Sequence, residues 1–249
     1  MSASAPQNDR IAIITGGSGG IGQAVAARLA EDGMEVVVHY AGNPDPAEEI
    51  VQSITGAAGE AIAVKADVGD EREVAALFNE VEERFGGVDV VVNTAGIMLL
   101  APLAEYELED FDRMVRTNLR GAFLVCQQSV RRLRSGGAFI NFSSSVVKLA
   151  LETYAAYAAT KGGVEAMTMI MAKELRGRDI TSNTVAPRPT ATPLFLDGKP
   201  QEVIDHMASM APLDERLGQP DDVAEVVAFL AGPARWINGQ VIYVNGGIA

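Results

Sequence analysis

The sequence predicts a doubly wound α/β protein, in which a parallel sheet of about seven strands carries helices on both faces. Three observations lead to this fold class. Short segments rich in β-branched residues alternate with helical segments along the chain, as the strands and crossover helices of a parallel sheet do. The strand segments are nearly continuous apolar runs, which predicts burial on both faces. The first strand ends in a glycine cluster that leads directly into a helix.

The predicted elements follow one another with little interruption. Strands are predicted, in order, at 10–15, 35–40, 61–65, 88–92, 138–142, 180–185 and 240–244. Helices are predicted at 23–30, 46–56, 71–85, 108–134, 154–176 and 220–231. The third helix is clearly amphipathic, because Val74, Leu77, Phe78 and Val81 fall on one face. Only 187–219 breaks the alternation, and we expect an insertion over an active site there.

Composition and charge limit the classes of function. The chain has 249 residues, of which 48% are hydrophobic, and its net charge is −13. This content suffices for a large core, while the acidic balance disfavours binding to nucleic acid or to anionic membranes. No apolar run is long enough for a membrane span, and residues 1–9 lack the apolar core of a signal peptide. We expect a disordered tail at 1–9 and a single domain at 10–249.

Cysteine and histidine are scarce. Cys126 is the only cysteine, and the two histidines, His39 and His206, lie far apart in the sequence. An intrachain disulfide is therefore excluded, and a Cys-rich or His-rich metal site is not expected. We predict a site without metal and a reducing, cytoplasmic location.

The glycine cluster at 16–22 has the composition of a pyrophosphate-binding loop. Glycines let the backbone turn sharply and approach a ligand, and the following helix offers free N–H groups and the positive end of its dipole. The cluster fits two spacings, the general dinucleotide fingerprint Gly17-x-Gly19-x-x-Gly22 and a second pattern, Thr15-Gly16-x-x-x-Gly20-Ile21-Gly22. Both spacings predict a dinucleotide in front of the first helix.

With the second spacing, the chain resembles the short-chain dehydrogenase/reductase family over nearly all of 10–249. The matching motifs after the loop, in the family's order, are Ala66-Asp67-Val68, Asn93-Thr94-Ala95-Gly96, Asn118, Ser143-Ser144-Ser145 and Tyr157-x-x-x-Lys161. Thr94 replaces the second residue of the family's Asn-Asn-Ala-Gly motif. The resemblance implies a Rossmann fold and an oxidoreductase that transfers a hydride between a nicotinamide cofactor and a ketone or aldehyde, or the corresponding alcohol.

The resemblance also implies the catalytic residues Asn118, Ser144, Tyr157 and Lys161. Tyr157 and Lys161 lie four residues apart in a predicted helix and share a face, where an ammonium group lowers the pKa of a phenol. In the family's mechanism the tyrosine exchanges a proton with the substrate oxygen, and the lysine holds the nicotinamide ribose. Asn118 interrupts its helix and holds a water on the proton path. The family's serine orients the substrate carbonyl, and its usual spacing from the tyrosine assigns this role to Ser144, with Ser143 and Ser145 as alternatives.

Cofactor contacts are carried over from the matching motifs. They are expected at Gly16, Ser18, Gly20, Ile21, Gly22, Tyr40, Ala41, Asn43, Asp67, Val68, Asn93, Ala95, Gly96, Tyr157, Lys161, Pro187, Thr190 and Thr192. Tyr40 stands where members that use NAD tend to carry an aspartate, whose carboxylate would repel a 2′-phosphate. NADP(H) is therefore preferred and NAD(H) is the alternative. His39 either assists at that phosphate or faces a neighbouring helix.

Arg188 departs from the family, whose members usually have glycine after the proline that matches Pro187. We weigh two interpretations, one in which Arg188 binds an anionic substrate or the pyrophosphate, and one in which it points to solvent. An apolar lid over the substrate is expected around 193–216, and the resemblance implies a homotetramer or homodimer. The alternative function is a regulatory or scaffold protein with little turnover because Arg188 blocks the site. The intact glycines and Lys161 disfavour a non-redox dehalogenase.

Overall fold

Seven parallel strands form one sheet in the computed structural model, which describes residues 10–248. The strands are β1 (Ile11–Thr15), β2 (Glu35–Tyr40), β3 (Ala61–Lys65), β4 (Val88–Asn93), β5 (Leu133–Phe142), β6 (Thr181–Pro187) and β7 (Val241–Val244). Their order across the sheet is β3-β2-β1-β4-β5-β6-β7. The predicted fold class is thus confirmed, and the strand order reverses between β1 and β4.

Helices cover both faces of the sheet. They are α1 (Gly20–Glu31), α2 (Asp45–Gly56), α3 (Glu71–Phe85), α4 (Leu108–Met114), α5 (Gly121–Arg132), α6 (Val146–Leu149), α7 (Ala155–Glu174), α8 (Pro193–Leu196), α9 (Gln201–Ser209) and α10 (Pro220–Ala231). Helices α1, α2 and α10 pack on one face, and α3, α5 and α7 pack on the other. Successive strand residues point to opposite faces, so Ile14 enters the first core and Ile13 the second. In residues 10–248, no helix has the length and apolar character needed to cross a membrane.

Helices α6, α8 and α9 were not predicted, and two predicted elements differ clearly from those in the structure. The segment predicted as one helix at 108–134 is α4 and α5 joined by a π-helical turn at Val115–Arg120. Strand β5 begins five residues before its predicted start, because Leu133 pairs with Val88 before a shift in register. Gly136, with a φ of +85°, lets the backbone turn there. The tail predicted at 1–9 lies outside the described residues.

The carboxyl ends of the central strands lie side by side and position the site. Thr15 of β1 pairs with Asn93 of β4, which pairs in turn with Asn141 of β5. In open α/β sheets, ligands bind outside the carboxyl ends of the strands, at the point where the strand order reverses. Here that point lies next to the glycine cluster, because α1 starts five residues after the end of β1.

Candidate active site

A cavity of about 420 Å³ opens at the carboxyl edge of the sheet and runs from the glycine loop to the segment after β6. Its wall brings together residues that are far apart in the sequence. The predicted site residues that line it are Gly16, Ser18, Gly20, Ile21, Ala95, Gly96, Ser144, Tyr157, Lys161, Pro187, Thr190 and Thr192. The motifs therefore meet at one place, as expected of a cofactor site next to a reaction site.

The glycine loop leaves the start of α1 open toward the cavity. Gly19 precedes the helix without a side-chain cap, and the first turn carries no acidic residue. The leading N–H groups of a helix lack partners within it, so they suit a phosphate. A Cβ on Gly22 would lie 2.3 Å from the carbonyl oxygen of Gly16, and one on Gly20 would lie 2.7 Å from Thr192. The loop therefore fits a pyrophosphate that needs close backbone approach.

His39 is hydrogen-bonded to the backbone of this loop. Its side chain is 2% exposed, and its Nδ1 accepts a 2.9 Å hydrogen bond from the N–H of Gly16. Its Nε2 lies 2.8 Å from the carbonyl oxygen of Ala66, which assigns the proton to Nε2. Burial lowers the pKa of His39. His39 thus links β2 to the loop after β1. Because both ring nitrogens are already bonded, the interpretation as a phosphate contact is wrong.

The residues expected at the adenosine end lie on the same edge of the sheet. Tyr40 is the last residue of β2, and Ala41 and Asn43 follow it and are exposed. Asp67 follows β3. Its carboxylate forms a 2.7 Å ion pair with Arg116, and this contact lowers the pKa of Asp67. The sequence motifs gave no signal for Arg116.

Three other predicted cofactor residues are held by the protein itself. Val68 is buried, and a Cβ on Gly121 would lie 2.9 Å from its side chain. Asn93 accepts a 2.5 Å hydrogen bond from Thr15 and donates one of 2.8 Å to Asn141. These side chains stabilise the sheet and its helix packing. Gly22 contributes the close contact to Gly16 described above.

Tyr157 and Lys161 lie on one face of α7 and are both buried. The Nζ of Lys161 is 5.7 Å from the centre of the Tyr157 ring and donates a 2.8 Å hydrogen bond to the carbonyl oxygen of Phe142. Burial lowers the pKa of Lys161 to about 8. Burial also raises the pKa of Tyr157, to which Tyr154 adds and which a hydrogen bond from Ser144 opposes. A tyrosine in this setting is a protonated phenol at neutral pH.

The three consecutive serines point in different directions. The hydroxyl of Ser143 donates a 2.6 Å hydrogen bond to Glu165, and that of Ser145 donates one of 3.2 Å to the carbonyl oxygen of Ala186. Both are buried, and although Ser143 also lines the cavity, its hydroxyl is bonded to Glu165, whereas Ser144 lines the cavity with its hydroxyl toward Tyr157. The geometry therefore favours Ser144 among the alternatives.

Asn118 lies in the π-helical turn and is 2% exposed. Its amide accepts from the N–H of Ile97 and donates to the carbonyl oxygen of Ile97, both at 2.8 Å. A Cβ on Gly96 would lie 3.2 Å from the Asn118 Oδ1 and 3.5 Å from the Lys161 Nζ. The expected interruption of the helix is present. Asn118 and Lys161 both approach Gly96, which has no side chain to keep them apart.

Arg188 is 5% exposed, so the interpretation in which it points to solvent is wrong. Its guanidinium donates to the carbonyl oxygen of Arg216 at 2.8 Å and to that of Met207. Burial lowers the pKa of Arg188, and the charge of Arg216 lowers it further. Arg188 also lines the cavity, but its guanidinium is held by carbonyl oxygens of the chain that follows it, which disfavours the interpretation in which it blocks the site.

Apolar side chains make up another part of the cavity wall. They are Met98, Val146, Leu149, Leu151, Tyr154, Leu194 and Phe195. Leu194 and Phe195 belong to the expected lid, whereas the others were missed. Their only signal in the sequence is that they flank the motifs. The cavity thus has a polar, backbone-rich end and an apolar end, and Tyr157 and Ser144 also line it.

Comparisons with known proteins agree with this geometry. A family model described as enoyl-(acyl carrier protein) reductase matches residues 16–249. A short-chain type dehydrogenase/reductase of Picea abies is 43% identical over 96% of this chain and 92% of its own length. An NADPH-dependent aldehyde reductase-like protein of Arabidopsis thaliana, named as chloroplastic, is 40% identical over 97% of this chain and 95% of its own.

A solved structure gives the same result for the fold. The short chain dehydrogenase of Burkholderia cenocepacia, determined in complex with NADP, superposes with a TM-score of 0.90 at 34% identity. The superposition covers 98% of this chain and 99% of that one. The sequence matches and the fold lead to the same assignment: this chain belongs to the short-chain dehydrogenase/reductase family.

Proposed function

We propose that this oxidoreductase uses NADP(H) and acts on an uncharged, apolar aldehyde or ketone, or on the corresponding alcohol. The observation that carries the proposal is the position of Tyr157 and Ser144. They lie on the wall of the same cavity that the open end of α1 and the apolar side chains line. A carbonyl bound there has its oxygen beside two hydroxyl donors and its apolar substituent against the lid.

The residues of this chain divide the work of the reaction. Gly20 and Ile21 hold the pyrophosphate with the free N–H groups of the first turn of α1, Gly16 allows its close approach, and Thr190 and Thr192 bind beside them. When bound, the nicotinamide supplies or accepts the hydride. Ser144 donates a hydrogen bond to the carbonyl oxygen, which stabilises the charge that develops there.

Tyr157 gives its proton to that oxygen in reduction and takes it back in alcohol oxidation. Burial keeps the phenol protonated at neutral pH, which suits reduction. The ammonium of Lys161 stabilises phenolate when a proton leaves, and it binds the nicotinamide ribose. Asn118, which lies beside Lys161, holds a water that returns the proton to solvent.

Two observations support NADP(H). The segment from Tyr40 to Asn43 has no carboxylate that would repel a 2′-phosphate, and its exposed backbone and amide can donate to one. The Arabidopsis relative is named as NADPH-dependent, and the Burkholderia structure holds NADP. A fluorescence titration is expected to show NADPH binding at least about tenfold tighter than NADH, and Tyr40→Asp is expected to reverse the preference. Tighter binding of NADH by the unaltered protein would contradict this choice.

A matched pair of aldehydes tests the substrate class. With NADPH, the kcat/KM for benzaldehyde is expected to exceed that for 4-carboxybenzaldehyde at least about tenfold, because an unpaired carboxylate is costly against the apolar wall and the Arg188 guanidinium is already bonded to carbonyl oxygens. Phe195→Ala is expected to weaken selection by removing part of the apolar lining. Equal rates for the two aldehydes would contradict the proposed class.

We also propose a homotetramer or homodimer. Large apolar side chains are exposed on α4, α5, α7 and α10, namely Leu108, Phe111, Phe123, Met169, Ile170 and Phe229. Exposed apolar clusters on helices are typical of interfaces between subunits. The cytoplasmic location and the lid at 193–216 likewise stay predictions.

A further inference from the structure

The backbone of Arg188 is fixed at the end of the sheet. Its N–H donates a 3.1 Å hydrogen bond to the carbonyl oxygen of Val244 on β7, and its own carbonyl oxygen accepts one of 2.9 Å from Thr190. The side chain therefore starts from a rigid position directly before the segment 193–216, which we call the lid. Any group that accepts a hydrogen bond from the guanidinium is therefore connected to the sheet through Arg188.

Both acceptors of the guanidinium belong to the lid. One nitrogen donates to the carbonyl oxygen of Arg216, at the end of the lid, and the other donates to that of Met207 in the last turn of α9. The N–H of Ala211, which a continuing helix would donate to Met207, bonds to Ala208 instead. The guanidinium thus takes the place of the missing helical donor, where a cation also suits the helix dipole.

The side chain of Met207 carries this attachment to the cavity. Met207 packs with Phe195 and Leu217 in one buried cluster, to which Leu151 and Ile204 are attached. Phe195 and Leu151 line the cavity, so the position of α9 sets the position of the apolar wall. A change at Arg188 would therefore reach a bound substrate through the lid.

The other use of this cation is recognition of an anion in the cavity. Two guanidinium nitrogens are already bonded to carbonyls of the chain, and the buried Nε has no hydrogen-bond partner in the structure. A forked guanidinium whose two ends are taken cannot grip a carboxylate through both. The contacts therefore favour attachment of the lid over binding of an anion.

We infer that Arg188 is a positioning residue that fastens the lid over the cavity and thereby sets the affinity for the carbonyl substrate. The effect on affinity rests on the proposed function, whereas the attachment of the lid does not. Arg188 bonds both the middle and the end of the lid from a point just before its start. This arrangement shortens the free loop from the whole lid to two smaller pieces.

The first measurement is hydrogen–deuterium exchange of the protein without ligand, read on peptides that cover 201–216. Arg188→Met is expected to exchange there at least about tenfold faster than the unaltered protein, with β4 and α1 unchanged. Arg188→Lys keeps the cation but can bond one carbonyl well, so an intermediate rate is expected. It also carries the test if the methionine variant does not fold.

Arg178→Met is the matched control. Arg178 is partly buried and also donates to two backbone carbonyls, those of Val130 and Leu133, but these lie away from the lid. Its loss is expected to destabilise the protein while leaving exchange at 201–216 unchanged. Unchanged lid exchange in both Arg188 variants, or equal acceleration in Arg178→Met, would overturn the inference.

Kinetics with NADPH and benzaldehyde provide the second measurement. Arg188→Met is expected to raise KM about tenfold and to change kcat less than about threefold, because the chemistry at Tyr157 is intact. A fall in kcat with KM unchanged would contradict a positioning role. If the unaltered protein preferred 4-carboxybenzaldehyde and Arg188→Met lost that preference, Arg188 would be an anion receptor. Accelerated lid exchange without turnover of either aldehyde would overturn the proposed substrate class alone.

Discussion

The two ends of the cavity are built in different ways. The glycine-loop end is made of backbone: α1 begins there without a side-chain cap, and Gly20 and Gly22 leave no room for a Cβ. The other end is made of side chains, among them Tyr157, Lys161 and Phe195, which the structure holds through burial and single hydrogen bonds. The backbone end recognises the phosphates of a ligand and does not depend on particular side chains. At the side-chain end, substitutions alter which substrate is bound.

Tyr157→Phe is expected to have the largest effect, and it is confined to the side-chain end. The variant keeps the ring and its packing but removes the proton donor, so kcat is expected to fall about 10³-fold, roughly 4 kcal/mol in the barrier. The Kd for NADPH, measured by fluorescence, is expected to stay within about threefold. Tyr154→Phe removes a hydroxyl from a neighbouring ring, 6.4 Å away between centroids, and is expected to lower kcat less than about tenfold. Turnover by Tyr157→Phe close to that of the unaltered enzyme would contradict its assignment as the proton donor.

The sequence predicted the backbone end more completely than the side-chain end, for a physical reason. The loop from Gly16 to Gly22 is a local pattern directly after the first strand, so the sequence places it without further information. Tyr157 and Lys161 share a helix face, but their role followed only from the resemblance to the family. Arg188 bonds residues 19 and 28 positions later, and no local pattern encodes such contacts. His39 likewise bonds Gly16 across 23 positions.

The same distinction explains the serine cluster. All three serines directly follow β5, and spacing could favour Ser144 without excluding its neighbours. Their directions depend on what the rest of the fold places beside them, namely Glu165 for Ser143 and Ala186 for Ser145. The fold class could be predicted from the alternation of strand and helix patterns. The direction in which each serine side chain points could be seen only in the packed structure.

Lys161→Met measures how much folding stability the protein without ligand loses by burying this lysine. The pKa of Lys161 is lowered to about 8 in the fold, so between that pH and the ordinary lysine pKa the unfolded chain binds more protons. Stability rises with pH across this interval, and below it the buried ammonium costs about 3 kcal/mol. Allowing about 1 kcal/mol for the lost hydrogen bond to Phe142, the variant is expected to be about 2 kcal/mol more stable at pH 7.

Urea unfolding at pH 7 and pH 10 measures this difference. The advantage of Lys161→Met is expected to shrink toward pH 10, because the unaltered lysine is then neutral in the fold. Lys173→Met, on the exposed side of the same helix, is expected to change stability by less than about 0.5 kcal/mol at either pH. A methionine variant less stable than the unaltered protein at pH 7 would show that the ammonium is stabilised by its surroundings.

Gly22→Ala tests the backbone end through the affinity for the cofactor. The new Cβ would lie 2.3 Å from the Gly16 carbonyl oxygen and 2.8 Å from the Gly17 Cα, so the loop has to shift. NADPH affinity is expected to fall about 100-fold, roughly 2.7 kcal/mol, because the phosphates are held by that backbone. Gly56→Ala, where a Cβ meets nothing within 4 Å, is the matched control and is expected to bind NADPH normally. If Gly22→Ala instead kept its NADPH affinity, the loop would be as adaptable as the lid, and the contrast between a rigid backbone end and an adjustable side-chain end would fail.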